Sequence, residues 1–252
     1  MKRKLINIIL AVCIVVFLGS GAYLAKYFLE ADQAEKQIRE LIEIKEEGTN
    51  EEKEFPESED SGVLDKYIRL HEKNKDLVGW VSVAGTEIDY PVMQNSSDAE
   101  YYLHRNFEKK TDKNGLPILD INCDIKEPRS NFIIYGHHMK SGMMFAGLLK
   151  YAGKDFYNAH KEVYFDTIYE EGRYRIFSAF YTEVSETERD FDFSVYSGKM
   201  GKEKFDEYVE HVTESSLFDT GIKPVWGQTL ITLVTCSYHT ENGRFIVAAV
   251  KE

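Results

Sequence analysis

The first pattern in the chain is an apolar run near its N-terminus. From Leu5 to Leu29 the only charged residue is Lys26, and basic residues lie in 1–4 just before the run. A 25-residue helix is about 37 Å long, which exceeds the roughly 30 Å hydrocarbon core of a bilayer. The sequence therefore predicts a transmembrane anchor over 5–29 and a cytoplasmic tail over 1–4. A cleaved signal peptide is the alternative, since Gly19–Ala22 are small residues typical of a cleavage site.

Polar and acidic positions dominate the next segment. Between Glu30 and Asp60 there are thirteen acidic and four basic residues, a net charge of −9 within −12 for the whole chain. Apolar residues recur at helical spacing from Ile38 to Ile44, so we expect an amphipathic helix there. Beyond Glu47 the composition is typical of a flexible linker. We interpret 30–62 as an acidic helix and solvated tether, and nothing in it indicates a nucleic-acid partner.

The remaining segment, 63–252, alternates short apolar runs with turn residues. Eight runs rich in β-branched and aromatic residues predict strands, and they lie at Leu77–Val83, Glu87–Met93, Pro117–Asp120, Asn131–Tyr135, Val163–Ile168, Tyr174–Thr182, Thr229–Cys236 and Arg244–Val250. Helical patterns fall at Val63–Lys73, Asp98–Phe107, Met143–Tyr151 and Lys202–Glu214. Many short strands and few helices indicate one mainly β domain, an antiparallel barrel, that is large enough for a good core.

The last two predicted strands carry candidate chemistry. The first ends on Cys236, a polar loop over 237–243 follows, and the second begins at Arg244. If Cys236 and Arg244 form a cross-strand pair, their side chains share one face of the sheet. The guanidinium keeps its charge, so it favours thiolate over thiol and can donate hydrogen bonds to an oxyanion. Cys236 is the candidate nucleophile and Arg244 the candidate oxyanion donor.

A candidate base lies at the end of another short strand. The apolar run Phe132–Tyr135 stops at Gly136, and His137 follows it. Strand ends often carry functional sites, and Cys, His and Arg together supply the groups that acyl transfer needs. Each residue alone also has a structural interpretation: a small core cysteine, a solvated arginine and a hydrogen-bonded histidine. His137 and His138 point to opposite faces and no second ligand cluster follows, so we expect neither a metal nor another cofactor.

The cysteine count argues against a disulfide framework. Cys13 lies in the apolar run and Cys236 is the candidate nucleophile, which leaves Cys123 without a partner. We therefore expect the outer domain to hold a reactive thiol and no structural bridge.

These motifs resemble those of class B sortases, the Gram-positive cysteine transpeptidases. Leu233-Val-Thr-Cys236 is similar to their TLxTC signature, and Arg244 stands where their strand-borne arginine stands. The class B features are Asn131–Met139, Gly142–Leu149, Tyr90–Gln94, Tyr102-Leu103 and Phe107. The resemblance runs in the right order from about Leu64 to Glu252. It implies an eight-stranded sortase-type barrel, with N-terminal helices and a long helix before the last two strands.

The resemblance also implies roles. Cys236 is the nucleophile, His137 the general acid and base, and Arg244 the oxyanion and substrate clamp, whereas His138 is only a neighbour. The chain departs from the usual pattern in three places, with Val234 for a serine, Ser237 for an acidic residue and Ala99 for an asparagine. These departures bear on the sorting-motif preference and leave the chemistry intact.

Substrate contacts are expected from Leu103, Val234 and Thr235. Alternation along the strand puts Val234 on the face of Cys236, one pleat away. Core packing is the alternative for Leu103 and Val234. The stretch Thr182–Phe193 reads either as a wall of the substrate groove or as a mobile loop.

The implied reaction takes place outside the cell, at a single-pass membrane protein with a cytoplasmic N-terminus. The thiolate attacks the threonine carbonyl of a C-terminal pentapeptide sorting signal on a secreted protein, and the resulting thioacyl enzyme passes its acyl group to an amine. A peptidoglycan precursor or a pilin subunit would supply that amine, for surface anchoring or pilus assembly respectively. Both an ion pair and a neutral thiol–imidazole pair at rest fit the sequence.

Other functional classes fit the motifs less well. A papain-like peptidase or cell-wall hydrolase usually has its Cys before its His and at a helix start, whereas here His137 precedes a strand-borne Cys236. An L,D-transpeptidase would carry a Ser-His-Gly-Cys run, which is missing. A membrane-tethered binding module with an inert cysteine is the non-enzymatic alternative, and it predicts that Cys236 does not react with a thiol-reactive peptide.

Overall fold

The computed structural model of the protein describes residues 2–50, 62–127, 130–184 and 191–252. It contains two compact units, Met1–Glu40 and Leu41–Glu252. Helix α1 spans Lys2–Asn50, and in the described part of the chain it is the one helix that is long and apolar enough to cross a membrane. Most of the predicted flexible linker, 51–61, lies outside the described residues.

The second unit is built on a β-sheet that closes on itself. Its strands are β1 (Leu77–Ser82), β2 (Asp89–Met93), β3 (Ile118–Leu119), β4 (Ser130–Gly136), β5 (Glu162–Thr167), β6 (Arg173–Glu183), β7 (Gly198–Lys199), β8 (Leu230–Cys236) and β9 (Gly243–Lys251). They pair in the order β3-β2-β1-β5-β6-β9-β8-β4-β7, and β3 also pairs with β4. Eight strands therefore form a closed barrel, as predicted, and β7 adds a short edge to β4.

Two pairs of neighbouring strands depart from the expected antiparallel arrangement. β2 and β3 are parallel, and so are β4 and β8, which pair from Asn131↔Leu230 to Gly136↔Thr235. The β4–β8 pair matters most, because parallel strands end at the same edge of a sheet. It brings together two strand ends that lie about a hundred residues apart in the sequence.

Helices surround the barrel. They are α2 (Asp65–Lys73), α3 (Lys154–Ala159), α4 (Lys202–Glu214) and the 3-10 helices Tyr101–His104, Phe145–Ala152 and Phe193–Tyr196. The helical patterns over 98–107 and 143–151 thus form 3-10 helices. At both ends of the 98–107 segment, side-chain oxygens accept hydrogen bonds from nearby backbone N–H groups. They belong to Asp98 and Asn106, and such bonds compete with those of a longer α-helix.

Helix α4 covers part of the outer face of the barrel. Its predicted apolar face, Phe205, Tyr208, Val209 and Val212, is buried. These side chains pack in one cluster with Leu230 and Val234 of β8, and with Ile246, Ala248 and Val250 of β9. Beneath them the Thr232 hydroxyl donates to Asn131 Oδ1 at 2.8 Å and contacts the Tyr208 hydroxyl. The cluster fixes the outer faces of β8 and β9, which extend past it to Cys236 and Arg244.

The last turns of α1 belong to the same compact unit as the barrel. The Lys45 ammonium lies 3.2 Å from Asp89 Oδ1 and 4.1 Å from the Trp80 ring centroid. An ion pair of 3.0 Å joins Arg69 of α2 to Glu47. A cation on an aromatic face beside a half-buried carboxylate is a stabilising contact, so this end of the helix is held against β1, β2 and α2.

Gly136, the last residue of β4, is tightly enclosed. A Cβ atom there would lie 2.6 Å from Cγ of Phe145, a ring with no exposed surface. Gly136→Ala is expected to lower the free energy of unfolding by about 1–3 kcal/mol through overpacking. Each kcal/mol corresponds to a fall of about 2–4 °C in Tm. Thermal unfolding of the full chain in detergent checks this. Gly21→Ala in α1 is the control, because its methyl group meets nothing within 4 Å, and a Tm drop equal in both variants contradicts the prediction.

Candidate active site

Three strand ends meet at one edge of the barrel. Gly136 of β4 pairs with Thr235 of β8, so His137 and Cys236 are the next residues along two parallel strands. Cys236 pairs with Arg244 of β9 across the antiparallel ladder, as the sequence predicts. Alternation puts Cys236 and Arg244 on the same sheet face as Val234 and Ile246 of the α4 cluster. His137, Cys236 and Arg244 all line one groove of about 390 Å³.

The predicted substrate contacts line this groove as well. Leu103 is half-buried in its 3-10 helix, whereas Val234 is 2% exposed and belongs to the α4 cluster. Thr235 is also buried, and its hydroxyl donates to the Gly136 carbonyl at 2.8 Å. Val234 thus has a core-packing role and lies beside the groove too. The roles of these three residues in substrate binding stay predictions.

Sequence reasoning missed most of the groove wall. The further lining residues come largely from connecting segments, and they are Ala99, Glu100, Ile118, Asp120, Ile121, Tyr135, Gly136, Val184, Asp192, Phe193 and Ser194. Of the stretch Thr182–Phe193, therefore, Val184, Asp192 and Phe193 line the groove. The part over 185–190 lies outside the described residues. Loop residues follow no hydrophobic periodicity, so the sequence does not show which of them line the groove. Their positions in the folded structure do.

Several polar side chains of the wall are already paired. The Tyr135 hydroxyl donates to Asp120 Oδ2 at 2.9 Å, and burial raises the pKa of Tyr135, so the phenol stays protonated. Asp192 accepts from the backbone N–H and the hydroxyl of Ser194 at 2.9 and 2.6 Å. These pairs restrict the movement of the side chains that line the groove.

The imidazole of His137 has a defined orientation. Its Nε2 lies 2.8 Å from the backbone carbonyl of Leu103. A carbonyl oxygen only accepts, so Nε2–H is the donor, and neutral His137 carries its lone pair on Nδ1. Nδ1 is therefore the nitrogen that can take up and release a proton. The Leu103 carbonyl is a main-chain partner, which side-chain motifs in the sequence do not reveal.

Cys236 and Cys123 differ in their surroundings. All three cysteines are free thiols, with Cys236 half-buried and Cys123 buried. Cys123 Sγ contacts the Asn131 carbonyl at 3.3 Å, and burial raises the pKa of its thiol. A protonated, enclosed thiol is a poor nucleophile. Within the barrel, Cys236 is the cysteine with access to the groove.

Arg244 is held by its own hairpin. Its Nη1 donates to the backbone carbonyls of Gly243 at 3.0 Å and Asn242 at 3.3 Å. None of the ion pairs among the described residues includes Arg244. The guanidinium is therefore fixed at the groove with its charge free of a carboxylate, which suits the binding of a carbonyl oxygen that becomes negative.

A closed barrel with a thiol, an imidazole and a guanidinium at adjoining strand ends supplies the groups that a cysteine acyltransferase uses. The family model of the sortase domain matches residues 81–252. The chain thus belongs to the sortase family of cysteine transpeptidases.

The relatives are sortases of class B. The sortase B of Listeria monocytogenes is 35% identical over 187 residues, which are 73% of each chain. The sortase B of Staphylococcus aureus is 27% identical over 253 residues, 99% of this chain and 97% of its own. The crystal structure of sortase B from B. anthracis in complex with AAEK1 has a TM-score of 0.73 and 29% identity, and it covers 89% of this chain and 98% of that one. The predicted class, fold and enzyme type are confirmed.

Proposed function

We propose that this protein is a membrane-anchored transpeptidase that attaches secreted proteins to the cell wall. It cleaves a C-terminal pentapeptide sorting signal after threonine and transfers the new carboxyl end to an amine of a peptidoglycan precursor. The observation that carries the proposal is the meeting of Cys236, His137 and Arg244 in one groove. The groove also offers apolar wall residues, among them Leu103, Ile121 and Val184, against which an extended peptide can lie.

The first half-reaction forms a thioester. The Cys236 sulfur attacks the threonine carbonyl carbon, and the oxygen of the tetrahedral intermediate becomes negative. Arg244 donates hydrogen bonds to that oxygen. The peptide C–N bond then breaks, and protonated His137 gives its Nδ1 proton to the departing amine. The products are a thioacyl enzyme and the released C-terminal fragment.

The second half-reaction reverses the roles. The acceptor amine attacks the thioester carbonyl and loses a proton to His137, while Arg244 again stabilises the oxyanion. The C–S bond breaks and Cys236 leaves as a thiolate. Because the thioester conserves the energy of the cleaved amide, the new amide forms without ATP.

The N-terminal helix supports a membrane location. The apolar run of α1 is long enough to cross a bilayer, and the basic residues before it favour a cytoplasmic N-terminus. The barrel then lies on the outer side, where secreted substrates and cell-wall precursors are found.

Arg244→Ala is expected to lower kcat about 10²–10³-fold, the usual loss for one oxyanion donor. The Tm should change little, because the hydrogen bonds of Arg244 within the described residues go to carbonyls of its own hairpin. Steady-state kinetics with a cleaved peptide check this, and Arg244→Lys is the matched control that keeps the charge without the two-pronged donor. A kcat within threefold of wild type in Arg244→Ala would remove Arg244 from the oxyanion role.

The full chain in detergent micelles, incubated with fluorescent sorting peptides and candidate amines, tests the proposed function. We expect a peptide–amine amide, identified by mass spectrometry, only when an amine is present, and slow hydrolysis in its absence. Hydrolysis as the sole outcome with every amine contradicts transpeptidation. Failure to cleave any peptide contradicts a sorting-signal substrate.

A further inference from the structure

The strands that carry His137 and Cys236 remain tied together past the end of their ladder. Main-chain pairing of β4 with β8 stops at Gly136↔Thr235. Beyond that pair, the His138 Nδ1 lies 3.1 Å from the Cys236 carbonyl, and the Tyr238 hydroxyl donates to the His138 carbonyl at 3.2 Å. Side chains thus connect the two segments beyond the ladder, at Cys236 and at the residue that follows His137.

We propose that His138 is a positioning residue, which together with Tyr238 fixes the main chain of Cys236 relative to that of His137. The proposal rests on the proposed function of this groove. A carbonyl oxygen only accepts, so His138 Nδ1–H is the donor to Cys236. Its neighbour His137 points to the opposite side of the chain, so one histidine serves the groove and the other serves the strand junction.

The contacts around His137 explain why one bond at His138 affects the position of Cys236 relative to the imidazole. On its N-terminal side, Gly136 is held by the Thr235 hydroxyl at 2.8 Å. The carbonyl of His137 itself accepts from the Phe145 N–H at 2.9 Å. The bond from His138 to Cys236 is therefore a direct link from this fixed segment to the nucleophile's own backbone. Without it, the end of β8 keeps its ladder to β9 at Cys236↔Arg244 but loses a tie to the segment that carries the imidazole.

Tyr238 holds His138 in place for this bond. The two rings lie 5.1 Å apart at an interplanar angle of 37°, so the phenol covers one side of the imidazole. Tyr238 is 67% exposed, so its hydroxyl can be removed without disturbing the core. The bond from His138 to Cys236 and the bond from Tyr238 to His138 both join the end of β8 to the segment after His137. Both therefore help to set the distance between the Cys236 sulfur and the His137 imidazole.

The test compares His138→Leu, which has no donor, with His138→Asn, whose side-chain amide keeps a donor near the Nδ1 position. We expect His138→Leu to lower kcat about tenfold with KM within about twofold, because small misplacements of reacting groups act on the chemical step. His138→Asn should recover kcat to within about threefold of wild type. Tyr238→Phe, which is expected to fold normally, should lower kcat about threefold.

A second readout does not need a sorting peptide. In the full chain with Cys13→Ser, the rate of Cys236 alkylation by iodoacetamide is followed against pH. His138→Leu should move this profile towards that of His137→Ala, and His138→Asn should not. If the wild-type chain joins no peptide to any amine, the proposed function fails while this comparison still tests the positioning role. Equal loss in His138→Leu and His138→Asn, wild-type kinetics in His138→Leu, or a change in KM alone would each overturn it.

Discussion

Cys236→Ala is expected to abolish both cleavage of the sorting peptide and formation of the thioacyl enzyme. No other thiol described in the barrel reaches the groove, because Cys123 is 4% exposed and contacts Ser197 and a backbone carbonyl. A reaction through a covalent intermediate loses its whole pathway with its nucleophile. Intact-protein mass spectrometry after mixing with peptide detects the adduct, and a fluorescence assay measures cleavage.

Cys123→Ala is the matched control for this experiment. It removes a thiol of equal size from the same barrel, so it should lower the Tm by a few degrees through the cavity it leaves and retain turnover. Cys236→Ala should show the opposite pattern, with a Tm close to wild type because the half-buried sulfur fills little of the core. An adduct that persists in Cys236→Ala would assign the nucleophile to another residue.

The strands were predictable because each one combines a local pattern with turn residues at its ends. The eight barrel strands follow runs of β-branched and aromatic residues such as Leu230–Cys236. The closure of the barrel was harder to derive from the residues, since it depends on the two-residue strand β3, which pairs with both β2 and β4. A strand of two residues is too short to show an alternating apolar pattern. For the same reason the sequence did not predict β7.

The candidate site divides in a similar way. Cys236, His137 and Arg244 stand at strand ends and have side chains with obvious chemistry, so the sequence reveals them one by one. Their convergence depends on the parallel pairing of Gly136 with Thr235, and a pattern of apolar positions does not specify which strands become neighbours. Nor does it reveal main-chain partners such as the Leu103 carbonyl. Sequence therefore identifies the reacting groups, and the fold supplies their orientation.

His137→Gln is expected to lower kcat about 10²–10⁴-fold, the range attributed to general acid–base catalysis. Glutamine keeps an N–H donor that can reach the Leu103 carbonyl in place of Nε2–H, but its amide does not titrate. The Tm should therefore stay near the wild-type value, while turnover falls. Steady-state kinetics across pH and thermal unfolding of the same preparations measure both effects.

His137→Ala separates the two functions of the imidazole. It removes the proton carrier and also the bond to Leu103, so it should match His137→Gln in kcat and have a lower Tm. If the role of His137 were only to brace Leu103 and the 3-10 helix, glutamine would restore turnover and alanine would not. Equal loss of kcat in both variants, with loss of Tm in alanine alone, assigns proton transfer to His137. Turnover of His137→Gln within tenfold of wild type would assign it elsewhere.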